Sequence, residues 1–447
     1  MITDTAPGNI AAHTAPIVSP PGSVAETGLE LSLLVDLVLK IIYFSGRPSA
    51  HQLAEQLALT FPVVEELLAF LRQEQAIEIV GSSGVGEHSY QYALTSRGTA
   101  KTEEALGRSH YVGPAPVPFQ LYIEVLQRQS IGDVGIDRQT FLDGVSHLIL
   151  SRKVLAALGP AANSGRSVLI YGNSGNGKSA LTIAIAGMLP GEVLIPYAVE
   201  VHGQIVKVFD PRLHRPVLEG ERKERRQTAL ALSEGRESRQ DQRWVVTKRP
   251  VVTAGGELTL EDLELRYSPV SKFYIAPLQW KANGGVLVID DFGRQMMRPQ
   301  ELLNRWIVPM EQGMDYLSLH TGDTVDLPFE VFLVFSTNIP PARLGDEAFF
   351  RRIRHKVEIP NPDQAEFLEI LRRVCKERSV PYTDEGARYL IETYYEQGGR
   401  DFRGCHPRDL LELLTDITGF YGEEPVLTPE WVDLACSSYF VEMEDAA

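Results

Sequence analysis

The sequence predicts an α/β protein: a three-layer core on a parallel sheet, a helical domain after it, and a small domain of helices and one hairpin before it. Three stretches carry that expectation. In the first, Ser167-Val168-Leu169-Ile170-Tyr171 runs into Gly172-Asn173-Ser174-Gly175-Asn176-Gly177-Lys178-Ser179, and Ala180 to Leu189 follows with a helical pattern closed by Pro190-Gly191. In the second, Gly285-Val286-Leu287-Val288-Ile289 ends in Asp290-Asp291-Phe292. In the third, Val331-Phe332-Leu333-Val334-Phe335 ends in Ser336-Thr337-Asn338. Short continuous apolar runs read as strands buried on both faces. Open parallel sheets take ligands at the C-terminal ends of their strands, where all three runs become polar.

The first stretch fits Gly-x-x-x-x-Gly-Lys-Ser, flanked by the strand and helix that pattern needs. This is a Walker A loop. Gly175 and Gly177 allow backbone conformations that other residues resist. The amides of Gly172, Asn173, Ser174, Gly175, Asn176 and Gly177 can then surround phosphate oxygens at the positive end of a helix. Lys178 is expected to reach the β and γ phosphates, and Ser179 to bind Mg²⁺. The second stretch looks like a Walker B strand. Asp290 is expected to hold Mg²⁺, usually through water, and Asp291 to orient or deprotonate the attacking water. Buried strands seldom end in paired acids without a cation nearby. Asn338 is placed to touch the γ-phosphate or that water.

Bulk properties narrow the setting. A length of 447 residues suggests about three domains. The net charge of −16 suits non-specific binding along DNA poorly. Cys375, Cys405 and Cys436 are scattered without metal-ligand spacing, which fits a reducing compartment. The apolar run from Leu29 to Phe44 is broken by Glu30, Asp36 and Lys40, so it reads as amphipathic and not as a membrane span. The first residues lack the basic start and apolar block of a secretory signal. A cytoplasmic protein is expected.

In chain order, residues 1–27 are rich in Ala, Pro, Thr and Gly and read as a disordered tail. Residues 28–110 form a compact unit. Leu31 to Phe44 is helical, Pro48-Ser49 starts a helix over Ala50 to Ala58, and Thr60 is expected to cap a third over Phe61 to Gln75. Strands Ala76 to Val80 and Ser89 to Leu94 flank a glycine-rich turn, and Thr95 caps a last helix to Leu106. This order resembles a winged-helix domain, with Tyr92-Ala93-Leu94-Thr95-Ser96-Arg97-Gly98 similar to the end of the wing in bacterial regulators. Its third helix carries Glu65, Glu66 and Glu74 against Arg72 alone. A major-groove reader needs the reverse balance, so a protein-contact module is expected.

Residues 111–139 read as a linker containing a short helix, Phe119 to Arg128. Leu148 and Ile149 are candidates to pack a nucleotide base, although plain core is the stronger role for them. Ala198 to Val201 and Ile205 to Phe209 alternate around His202-Gly203 as a hairpin. Leu218 to Arg243 is densely charged, with Arg222, Lys223, Arg225, Arg226, Arg236 and Arg239 mixed among acids. It reads as a solvated helical face, or else as an arm that contacts a partner. Glu301 to Glu311 is helical, and Tyr316 to Leu319 pairs with Thr324 to Leu327. Helices are expected over Asp363 to Glu377, Asp384 to Glu396, Pro407 to Phe420 and Thr428 to Tyr439.

Over roughly residues 140 to 440 these motifs, in this order, resemble the AAA+ ATPases. The resemblance implies a nucleotide-binding core over 140–360 and a helical lid over 361–447, with ATP and Mg²⁺ bound. It implies that Asn338 is sensor 1, that Arg351 or Arg352 is the arginine finger reaching a neighbouring subunit, and that Arg408, in His406-Pro407-Arg408, is sensor 2. Taken alone, Arg351 and Arg352 can also pair with acids such as Asp346, and Arg408 can be a plain charge at a helix start. The Lys281-Ala282-Asn283-Gly284-Gly285 lead-in and the hairpin before sensor 1 are similar to MoxR-like and enhancer-activator members. Two departures stand out. Asp291 replaces the family's usual glutamate and is one methylene shorter, and the Gly-Ala-Phe-Thr-Gly-Ala loop of enhancer activators is absent. The implied function is an ATPase ring, a hexamer by resemblance, that remodels a protein client. The alternatives are an ATP-switched DNA-binding regulator and an ATP-binding scaffold that hydrolyses little.

Overall fold

A computed structural model describes residues 15–82, 84, 86–217, 240–344 and 350–440. The first fourteen residues of the expected tail, the charged stretch 218–239 and the segment 345–349 lie outside the described residues. The chain forms two compact units. One is drawn from residues up to Gly135, Leu189–Leu287 and Glu301–Phe332; the other from Ile136–Met188, Val288–Gln300 and residues from Leu333 on.

In the first unit, helices Leu31–Ser45, Ala50–Leu57 and Phe61–Gln73 precede the antiparallel pair Ile77–Ser82 and Tyr90–Leu94, and the helix Ser96–Arg108 follows. Side-chain caps set two of these four helix starts. Ser49 accepts from the Gln52 amide while the Gln52 side chain accepts from the Ser49 amide, a reciprocal cap. The Thr95 hydroxyl accepts from the Gly98 amide at 3.1 Å. Thr60 departs from its expected capping role, because its hydroxyl donates to the Pro21 carbonyl at 2.6 Å instead.

That bond belongs to a correction. The stretch expected as disordered through residue 27 is packed from Ala15 onward, with Ala15, Val24 and Leu29 buried and a 3-10 turn at Ala25–Thr27. Its Val24 amide donates to Glu66 at 2.9 Å. Composition hides this, since a few apolar anchors suffice when a folded surface supplies their partners.

The expected linker is corrected as well. Ala115 and Val117 are fully buried. Val117–Pro118 joins a five-stranded sheet ordered Arg266–Ser268, Phe273–Ile275, Gln204–Lys207, Ala198–Val201, Val117–Pro118. The Phe119–Arg128 helix forms as expected, burying Tyr122, Val125 and Leu126. Arg243 and Asp241, buried and paired at 2.9 Å, hold the region together, as Arg243 also donates to the Thr27 and Pro116 carbonyls. A buried pair persists when further hydrogen bonds satisfy it. Ala198 and Ile205 of the sheet share one apolar cluster with Leu53, Leu57 and Leu67 of the helices, so no free tether separates them.

In the second unit, Ser167–Tyr171 pairs in parallel with Phe332–Thr337 on one side and His355–Glu358 on the other. Within this unit the strands run in the order His355–Glu358, Ser167–Tyr171, Phe332–Thr337, followed by the Val288-Ile289 end of Val286–Ile289. Helices Arg138–Gly144 and Arg152–Ser164 precede the Ser167–Tyr171 strand, and Lys178–Gly187 follows the loop. The C-terminal helices are Gln364–Glu377, Asp384–Tyr389, His406–Tyr421 and Pro429–Tyr439, started by side-chain caps from Asp363, Thr383 and Thr428 at three of the four. The run expected as one helix to Glu396 changes to a π-helix over Leu390–Glu396. Phe367, Leu371, Leu390, Leu411 and Leu414 form the core of these helices. The fold is α/β, a P-loop parallel-sheet core followed by a helical segment. No described helix is long and apolar enough to cross a membrane.

Candidate functional site

The second unit brings the three motifs to one end of the parallel sheet. Thr337 lies opposite Tyr171, so Asn338 is level with the first loop residue, Gly172. The acid-ended strand is tied to the same level, because the Phe292 amide donates to the Ser336 carbonyl at 2.7 Å and the Thr337 hydroxyl donates to the Phe292 carbonyl at 2.7 Å.

Gly177 turns the loop into its helix at φ 75°, a left-handed conformation that favours glycine. A Cβ on Gly175 would lie 2.5 Å from the Cys405 sulfur, so glycine is also what lets the 403–405 segment close on the loop. Lys178 is 8% exposed and its ammonium donates to the Asn173 carbonyl at 2.8 Å. Burial pushes the Lys178 pKa below its ordinary value, while Asp291 and then Asp290 act against that shift. Both carboxylates are thus within electrostatic reach of the loop lysine. Ser179 is exposed in the first turn of the helix.

Asp290 is half-buried and Asp291 exposed. Asn338 is half-buried, and its Oδ1 is buried with no hydrogen-bond partner among the described residues. Native structures rarely leave such an atom unpaired, which makes it a natural acceptor for a ligand or water. The donor set suits Mg²⁺, a hard cation that takes hydroxyl, carboxylate, phosphate and water oxygens. No group of three or more His, Cys, Asp or Glu residues gathers among the described residues, so phosphate and water would complete the shell.

Asn176 is a junction that motif reading missed. Its Nδ2 donates to the Pro360 carbonyl at 3.2 Å and to Asn361 Oδ1 at 2.9 Å, and its Oδ1 accepts from the Gly404 amide at 3.1 Å. Beside it a small cavity of about 40 Å³ mixes apolar walls from Ile149, Leu150, Val154, Ile359 and Ile370 with polar ones from Ser151, Asn176 and Glu366. Ile149 lines it; Leu148 is absent from its lining.

The expected arginines lie apart from the loop lysine. Arg408 is exposed in the first turn of its helix, 3.5 Å from Asp409. The residues of that segment that approach the loop are Arg403, Gly404 and Cys405. Arg351 is exposed, and the Arg352 carbonyl accepts from the Ser167 hydroxyl at 3.4 Å. Ser167 begins the strand whose other end enters the loop. Four strand steps of ~3.3 Å separate these ends by about 13 Å. Within one chain, then, Arg351 and Arg352 sit at the end of the sheet away from Lys178, Asp290 and Asn338.

A protein-family model described as a domain of unknown function (DUF8689) matches residues 363–438, well under half of the chain. No curated protein matches. Similar solved structures include NtrX from Brucella abortus, at 14% identity and a TM-score of 0.39, covering 78% of this chain and 62% of that one. NtrX in complex with ATP is similar at 14% identity and a TM-score of 0.38, covering 75% and 61%. The Thermotoga maritima RuvB Holliday junction branch migration motor is similar at 15% identity and a TM-score of 0.35, covering 68% and 70%. The chain therefore spans less than two thirds of the NtrX chain. With TM-scores this low, the fold assignment rests on the sheet topology and the loop geometry.

Proposed function

We propose that this chain is a cytoplasmic AAA+ ATPase that binds and hydrolyses Mg·ATP, works as a ring and remodels a protein client. The single observation that carries this reading is the convergence at one sheet end. A buried Lys178 lies in the field of Asp291 and Asp290, and Asn338 offers a buried, unpartnered oxygen at the same level. In this reading Lys178 and the loop amides bind the β and γ phosphates, and Ser179 and Asp290 hold Mg²⁺. Bound there, Mg²⁺ would neutralise charge on the transferred phosphoryl group. Asp291 orients the attacking water and Asn338 holds it or the γ-phosphate, while Arg408, exposed beside Asp409, is read as the sensor 2 arginine of the lid. Arg351 and Arg352 act on a neighbouring subunit, in keeping with their distance from the loop of their own chain.

The test separates binding from turnover. Asp291→Asn keeps the shape and removes the base. ATP is expected to bind while turnover falls by roughly 10²-fold, the lower range for lost acid–base catalysis. Turnover at the wild-type rate would remove Asp291 from the chemistry.

We read the N-terminal helices and hairpin as a winged-helix module that contacts protein. Its third helix is already engaged: Glu66 accepts from the Val24 amide, and Glu74 pairs with Lys101 at 2.9 Å and Arg97 at 3.2 Å. The full chain is expected to bind duplex DNA no more tightly than about 10⁻⁴ M, the weak edge of non-specific affinity. Fluorescence anisotropy across a salt series checks this, and tight binding that falls steeply with salt would favour the DNA-regulator reading.

A further inference from the structure

The turn after the acid-ended strand is held by a side chain that the motifs do not include. The strand ends at Ile289, and the chain leaves it through Asp290, Asp291, Phe292 and Gly293. Asp291 sits at φ 49°, in the left-handed region that non-glycine residues seldom adopt, Asn and Asp more readily than most. Such conformations persist where the surroundings over-determine them. Here the surroundings are specific. The Gln295 amide nitrogen donates to the Asp290 carbonyl at 2.9 Å and to the Asp291 carbonyl at 3.1 Å, and its Oε1 accepts from the Gly293 amide at 2.7 Å. The Arg294 amide adds a bond to the Asp291 carbonyl at 3.0 Å. Phe292, fully buried between these residues, anchors the turn to the Ser336 strand end.

Consecutive strand residues point to opposite faces of a sheet. Two acids in extended continuation would lean to opposite faces. The left-handed turn at Asp291 breaks that alternation. Asp291 is also one methylene shorter than the glutamate usual at this place in the resembling family, so its reach depends on where the backbone puts it. We propose that Gln295 is a positioning residue for ATP hydrolysis: it pins the left-handed turn and thereby presents the short Asp291 carboxylate to the attacking water. This rests on the ATPase reading above.

Steady-state turnover of the full chain tests it, beside equilibrium binding of a non-hydrolysed ATP analogue. Gln295→Ala is expected to lower kcat by about 10-fold, part of the ~10² to 10⁴ that a positioned base contributes, with analogue affinity unchanged. Gln295→Glu keeps the acceptor for Gly293 and loses the donors to both carbonyls, so it should also lower kcat, and it decides the matter if the alanine variant does not fold. Asp291→Glu in the Gln295→Ala background should recover turnover, because a longer carboxylate needs less help from the turn. Wild-type kcat in either Gln295 variant, affinity lost in parallel with kcat, or no recovery with Asp291→Glu would each overturn the inference while leaving the ATPase reading standing. A wild-type chain that binds ATP without hydrolysing it would remove both.

Discussion

Replacing Arg351 and Arg352 together by alanine is expected to lower ATP turnover by about 10³-fold or more while leaving nucleotide binding within one chain largely intact. A cation supplied to the transferred phosphoryl group by a neighbouring molecule contributes on this scale. The geometry motivates it. The Arg352 carbonyl bonds to Ser167 at the start of the Ser167–Tyr171 strand, whereas the phosphate loop leaves the end of that strand. No side chain spans that gap along its own sheet and still meets the γ-phosphate. Mixing the double variant with Lys178→Ala protein sharpens the test. Some interfaces of a mixed ring would join an intact loop to intact arginines, so part of the activity should return, although neither parent can form such an interface. Absence of recovery, with a monomer in ATP by light scattering, would rule out the shared site and place the scaffold reading ahead.

Lys178→Ala is expected to abolish measurable Mg·ATP binding with the fold retained. The lysine is nearly buried and donates to the Asn173 carbonyl, so it both shapes the loop and stands ready to turn to phosphate oxygens. Burial makes its charge costly, and the Asp291 and Asp290 carboxylates offset that cost. Removing it leaves those two acids facing the phosphates without a cation between them, an unfavourable field for a polyanion. A fluorescent ATP analogue titrated against both proteins measures the effect. Circular dichroism and thermal melting separate lost binding from lost fold. Wild-type affinity in the variant would mean that nucleotide binds elsewhere.

The amino-acid sequence by itself determined the elements and their chemistry where local rules decide. Apolar runs that give way to the Gly172–Ser179 loop, to Asp290-Asp291 and to Ser336-Thr337-Asn338 read as strands with polar C-terminal ends, and Ser49, Thr95, Asp363, Thr383 and Thr428 mark helix starts through their own side chains. Tertiary structure decided what depends on partners distant in the chain. The Ala/Pro-rich segment after Ala15 folds because Thr60 and Glu66 supply hydrogen-bond partners some forty residues away. The apparent linker is buried because Arg243 reaches Thr27 and Pro116 from far along the chain. Asn176 reads as one more phosphate-loop amide between two glycines, yet its side chain bonds Pro360, Asn361 and Gly404. Gln295 carries no motif, and only the left-handed backbone at Asp291 reveals what its amide does. A local pattern records a residue's conformational preference; the groups that satisfy its polar atoms are set by the packed chain.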